Sequence, residues 1–188
     1  LRTGEVQHIA AGDITTSYTY DPTRTHRLTG TSTKRSDGTT ASATYTYDAT
    51  GNTLTRPGAQ GTQSLTWDGE GRLTSVTEPA TDKTPERDTG YVYDADGGLL
   101  IRRTTTGDGD TILYLGATEI RLAVKGTAKT LSAQRYYSHG DTVVAVRSAT
   151  LGTAGTKLTW MLGDAQGTVN LTLASDNQAV TKRYSTPF

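Results

Sequence analysis

The sequence predicts an all-β fold of stacked two-stranded hairpins, and three observations carry that expectation. Residues that suit a pleated sheet dominate: 39 of the 188 are Thr and 10 are Tyr, with 21 Gly available for turns. A short aromatic pattern ending in Asp recurs along the first half at intervals of 20 to 27 residues. No window of twelve residues carries an apolar stripe of helical period. Leu, Ile, Val and Phe together number only 31, below the roughly 20% of a chain under which disorder becomes a live alternative. Disorder also calls for a large net charge, and here 19 basic residues balance 19 acidic ones. The same balance argues against nucleic acid or an anionic membrane surface as the main partner.

The recurring units come first in the chain. Tyr18-Thr19-Tyr20-Asp21, Tyr45-Thr46-Tyr47-Asp48, Leu65-Thr66-Trp67-Asp68 and Tyr91-Val92-Tyr93-Asp94 share one pattern: an apolar or aromatic residue, a β-former, an aromatic, then Asp. Three of them continue to a Gly three residues later, at Gly51, Gly71 and Gly97, and a fifth Asp-x-x-Gly pairs Asp164 with Gly167 after Trp160-Met161-Leu162. The first copy departs, with Arg24 in the Gly place and a longer loop before Leu28. Side chains two apart in a strand share a face, so each aromatic doublet forms one patch. Asp opens a type I turn by accepting hydrogen bonds from the amides ahead of it. Gly three residues on takes the left-handed conformation that returns the chain to the next strand. Strand is expected to resume at Arg72 to Val76 and Leu99 to Ile101. An isolated hairpin is marginal in water, so the aromatics read as a ladder between neighbouring hairpins; the rival reading is a platform on which sugars or bases stack.

The second half stays β but less regular. Glu119 to Lys125 and Val169 to Leu173 alternate cleanly, and Tyr136-Tyr137 and Thr142 to Arg147 are further strand candidates. Loops are expected at Gly107-Asp108-Gly109-Asp110, Gly126-Thr127 and Gly152 to Gly155, and a polar surface excursion at Glu78 to Asp88, which holds Pro79 and Pro85. The division expected is hairpin repeats over 1–106 and a second β-region over 107–188. There is no Cys, hence no disulfide framework and no thiolate chemistry. The longest run of large apolar residues, Val143 to Val146, is far too short to cross a bilayer as a helix. Opening at Leu1 without an initiator Met and ending mid-pattern at Phe188, the sequence reads as a piece of a longer chain.

Residues that could carry chemistry read as structural. Asp94/Asp96, Asp108/Asp110 and Asp68/Glu70 could be paired carboxylates of a glycosidase or calcium ligands, but turn formation accounts for all of them, and Thr105 stands where the closing Glu of a calcium loop from Asp94 would be. His8, His26 and His139 have no metal-ligand spacing. Ser138 and His139 are adjacent and would face opposite sides of a strand, against a nucleophile–base pair. No catalytic, metal or cofactor residues are assigned, and no cofactor is expected. Asn170-Leu171-Thr172 fits a glycosylation sequon and reads as plain strand.

The Tyr-x-Tyr-Asp-x-x-Gly unit with Leu shortly after resembles the YD repeat of bacterial RHS proteins and the related teneurins. The later segments resemble the RHS-associated core: Arg135 to Gly140 is similar to its Tyr/His-Gly segment, Leu162 to Thr168 to its Asp-His-x-Gly-Ser/Thr motif, and Arg183 to Phe188 to its Tyr-x-Pro-Phe/Tyr-Gly ending, cut before the Gly. The resemblance implies a β-sheet spiral wound into a hollow shell that encloses a toxic C-terminal domain until delivery. It also implies that the partners are the rest of the shell, its cargo and secretion-system components, in a secreted or cell-surface bacterial protein. A one-layer wall tolerates the low apolar content. Ala165 stands where many members carry His, so a role of that His does not transfer, and the family's self-cleavage motif would lie beyond Phe188; no enzymatic activity is expected. The alternative function is a carbohydrate-binding or adhesive extracellular β-module presenting Tyr45, Tyr47, Trp67, Tyr91 and Tyr93; a weaker one is a β-solenoid hydrolase acting through Asp94 and Asp96.

Overall fold

A computed structural model describes residues 2–9, 12–164 and 167–183. All regular structure among them is β-strand, joined in antiparallel fashion. The chain divides into two compact units, Leu1–Thr89 and Gly90–Phe188. That division follows packing, whereas the boundary at 106/107 follows sequence motifs.

The first unit opens with a four-stranded meander, β1 (Gly4–Ile9), β2 (Gly12–Tyr20), β3 (Leu28–Arg35) and β4 (Thr40–Thr44). β2 shows why these residues make strand. Ile14, Thr16, Tyr18 and Tyr20 turn to the sheltered face while Asp13, Thr15, Ser17 and Thr19 face water, the period of two that a half-buried strand requires. After Tyr45, whose amide donates to the Thr29 carbonyl at 3.0 Å, the chain continues as β5 (Thr46–Tyr47), β6 (Thr53–Gly58), β7 (Gly61–Trp67) and β8 (Leu73–Glu78), each paired with the next. Among the described residues the buried apolar centre of this unit is small: Leu65 and Val76, which stand directly opposite each other.

The second unit is a meander of β9 (Arg87–Tyr93), β10 (Leu99–Thr104), β11 (Gly109–Leu115), β12 (Thr118–Lys125), β13 (Ala128–His139), β14 (Thr142–Thr150), β15 (Lys157–Gly163), β16 (Val169–Ala174) and β17 (Val180–Lys182). Its strands pack on their sequence neighbours, in one layer. The register sorts the side chains by face. One face carries the rows Ile101–Leu113–Ile120–Ala133–Ala149 and Tyr137–Ala145–Trp160–Leu173–Val180. The other carries Arg102–Ile112–Arg121–Ser132–Thr150 and Gln134–Ser148–Lys157. Ala145 is buried, yet Trp160 and Val180 in the same row are 45% and 56% exposed. The apolar face is therefore only partly covered.

Three local expectations are corrected. Glu78, placed in a surface excursion, is 7% exposed; its carboxylate accepts from the Gln60 amide at 3.3 Å and from Gln63 Nε2, which satisfies the charge under cover. Gly109 and Asp110, expected in a loop, open β11. The glycine is needed there because a Cβ would meet the Thr104 side chain at 2.5 Å. The strand around Tyr136-Tyr137 extends back to Ala128, since Thr, Ser and Gln positions pair as regularly as apolar ones.

Candidate functional site

The feature that repeats is the turn and the aromatic beside it. In each Asp-x-x-Gly unit the Gly amide donates to the Asp carbonyl: Gly51 to Asp48 at 3.3 Å, Gly71 to Asp68 at 3.1 Å, Gly97 to Asp94 at 3.2 Å and Gly167 to Asp164 at 3.0 Å. All four glycines have positive φ. The Asp amide then donates across to the residue after the Gly: Asp48 to Asn52 at 2.9 Å, Asp68 to Arg72 at 2.9 Å, Asp94 to Gly98 at 2.9 Å and Asp164 to Thr168 at 3.0 Å.

The carboxylates cap these turns. Asp48 Oδ1 accepts from the amides of Gly51 at 2.7 Å and Asn52 at 2.8 Å and from the Thr50 hydroxyl at 2.8 Å. That hydroxyl, with further donors from Asn52 and Gly51, holds the Asp48 carboxyl at a pKa of about 2 against the opposing effect of burial. Asp68 accepts from the Arg72 amide and, through Oδ2, from Arg72 Nε, both at 2.8 Å, and these donors lower its pKa. Asp94 accepts from the amides of Asp96 at 3.0 Å and Gly98 at 2.7 Å, and Asp164 from Thr168 at 3.0 Å. In the longer first loop Asp21 accepts from the amides of Thr23 at 2.8 Å and Arg24 at 3.1 Å and from the Thr23 hydroxyl at 2.7 Å, and its pKa is lowered.

The aromatics join one hairpin to the one before it. Trp67 Nε1 donates to the Thr53 carbonyl at 2.8 Å, and Thr53 is the residue paired with Tyr47. Tyr47 donates its hydroxyl to the Leu28 carbonyl at 2.7 Å, and Leu28 is paired with Tyr20. Tyr20 donates to the Arg2 carbonyl at 2.8 Å. Trp67 and Tyr47 thus each clasp the main chain that faces the ring of the preceding unit, and Tyr20 clasps the main chain ahead of β1. The register slips by one residue at every one of them: between Thr19 and Tyr20, Thr46 and Tyr47, and Thr66 and Trp67. The residues left over in the partner strands are Thr29, Leu54 and Thr74, and such bulges re-aim a side chain and increase local twist.

The rings are half-buried, Tyr18, Tyr45, Tyr91 and Tyr93 among them. Tyr18 donates to Glu5 at 2.8 Å, which is the main cause of its raised pKa. The Arg27 guanidinium lies 5.0 Å from the centre of the Tyr47 ring. The acidic doublets engage in local bonds: Asp108 caps the Gly126 amide at 2.6 Å, Asp110 pairs with Arg121, and Glu70 shares Arg72 with Asp68. Among the described residues no group of His, Asp and Glu is arranged to hold a metal ion. Ala165, Gln166 and the segment Tyr184 to Phe188 lie outside the described residues. A turn of the same chemistry not singled out from sequence caps β3 and β4, where Asp37 accepts from the Thr39 amide at 2.8 Å; its Asp37-Gly38 dipeptide was the available signal.

The family model of the RHS Repeat matches residues 47–83, the stretch from Tyr47 through the Trp67 turn to Lys83. That stretch, 37 of the 188 residues, carries an RHS repeat. No curated protein matches it. Among solved structures the chain is similar to the crystal structure of TcdB2-TccC3, with a TM-score of 0.57 and 20% identity over 89% of its length. It spans 10% of that neighbour's chain. At this identity the likeness is one of fold. No helix among the described residues is long and apolar enough to cross a membrane.

Proposed function

We propose that this RHS/YD-repeat segment is a structural wall section of a larger shell that encloses and presents a toxic C-terminal domain. The observation that carries the reading is the apolar face of the second unit, where Trp160, Leu162 and Val180 are 45%, 49% and 56% exposed in a one-layer sheet. Large apolar side chains left half in water on one face are costly, and they suit a face that works against another body. The aromatic clasps support the same reading, because they bind successive hairpins into a continuous wall without a filled core. The role is mechanical and non-enzymatic, within a secreted or surface-associated protein.

Protease protection of the parent protein tests it. The domain that follows the repeats should resist digestion in the intact chain and be cut rapidly once expressed alone. Equal digestion rates in the two forms would overturn containment. The carbohydrate-binding alternative is an outcome of a second experiment: saturable glycan binding lost on Trp67→Leu would favour it. The polar tips of Tyr47 and Trp67 are already spent on main-chain carbonyls, which argues the other way.

A further inference from the structure

The loop between β2 and β3 departs from the Asp-x-x-Gly turn and builds something else. Asp21 takes the amides of Thr23 and Arg24, the Arg27 amide donates to the Arg24 carbonyl at 2.8 Å, and the Asp21 amide to the Arg27 carbonyl at 2.8 Å. Arg24 Nη1 reaches across to the Ala49 carbonyl at 3.4 Å, tying the loop to the next turn. The result is an open depression of about 500 Å³ lined by Arg24, Thr25, His26, Arg27 and the Tyr47 ring. Two guanidiniums and an imidazole share it, and among the described residues neither Arg24 nor Arg27 has an ion-pair partner. The one acid of the loop, Asp21, has committed its Oδ1 to the turn, although its charge and that of Arg27 feel each other. The Arg27 guanidinium carbon lies over the Tyr47 ring, 5.0 Å from its centre, a cation–π contact that uses none of the N–H donors.

We infer that this depression is a binding site for a phosphate-class oxyanion, held by Arg24 and Arg27 with His26 and Thr25 as further donors. Charge-assisted forked bonds suit a tetrahedral oxyanion, and the contact of Arg27 with the Tyr47 ring is present before the ligand arrives, which lowers the ordering cost of binding.

Calorimetric titration of the full chain with inorganic phosphate, at ionic strength held constant with chloride, tests the site. Saturable heat is expected, with Arg24→Gln and Arg27→Gln each weakening binding about tenfold or more. Arg27→Lys should weaken it as well, since an ammonium keeps the charge but lacks the fork, whereas Lys129→Gln should leave it unchanged. Glycerol 3-phosphate separates the sources: equal affinity assigns recognition to the phosphoryl group, tighter binding to an ester. Should a variant fail to fold, arginine footprinting of the unaltered chain with phenylglyoxal decides, and phosphate should protect Arg24 and Arg27 alone. Absence of saturable heat, or protection at other arginines, would overturn the proposal.

Discussion

Tyr47 holds two neighbours with one side chain: its hydroxyl donates to Leu28 and its ring lies beside Arg27. Tyr47→Phe keeps the ring and removes only the donor, leaving the Leu28 carbonyl to water or to nothing. A net loss of about 1 kcal/mol is expected, read as a shift of the denaturant midpoint at constant slope. Tyr45→Phe should cost less, because the Tyr45 hydroxyl makes no hydrogen bond among the described residues. Gly71 separates backbone strain from crowding. Its φ is +77° and nothing lies within 4 Å of where a Cβ would stand, so Gly71→Val is penalised by conformation alone, by about 1–2 kcal/mol. Thr62→Ser, at an exposed position of β7, is the control, and equal midpoints for the two variants would show that the left-handed conformation is not required.

The hairpin is the element on which the carboxylates act. The Asp48 carboxyl titrates at about 2 in the folded chain, chiefly because Thr50 donates to it, against roughly 3.9 in an unfolded one. A depressed folded value means that the native state binds the proton less readily than the unfolded state. The stabilisation is complete above about pH 4 and drains away as pH falls toward 2. Asp21, Asp37 and Asp68 are lowered as well, so the turns of the first unit weaken together in that window. Asp48→Asn should flatten the fall in denaturant midpoint between pH 5 and about pH 2.5; an unchanged slope would remove Asp48 from the account. Such turns were legible in the sequence because one Asp and one Gly at fixed spacing carry the whole geometry. The bulges at Thr29, Leu54 and Thr74 were not, because an extra residue in a strand leaves no mark in a Thr-rich pattern. The clasps onto Leu28 and Thr53 were also hidden: their acceptors are main-chain carbonyls, which no residue type announces. Glu78 was misread because a charged residue beside Pro79 suggests solvent, and only its pairing with Gln60 and Gln63 shows why it can be buried.

For the molecule as a whole the open question is what its apolar surface does in the absence of a second body. Among the described residues Leu65, Val76 and Ala145 are the buried apolar side chains, so the hydrogen-bonded ladders and the clasps carry a larger share of the stability than is usual. The apolar rows of the second unit sit partly in water, and a dye that fluoresces on apolar surface should bind there although the chain is folded. Leu162→Thr with Val180→Thr exchanges side chains that are already 49% and 56% exposed. The double variant should lower dye fluorescence and slow aggregation while shifting the denaturant midpoint little, because threonine suits a strand and little burial is lost. Ala145→Thr, in the same row but 3% exposed, should do the opposite and destabilise by overpacking, at a cost of about 1–3 kcal/mol. If the double variant unfolds as readily as the Ala145 variant, the face is covered within the folded chain itself, and the wall is not waiting for a cargo.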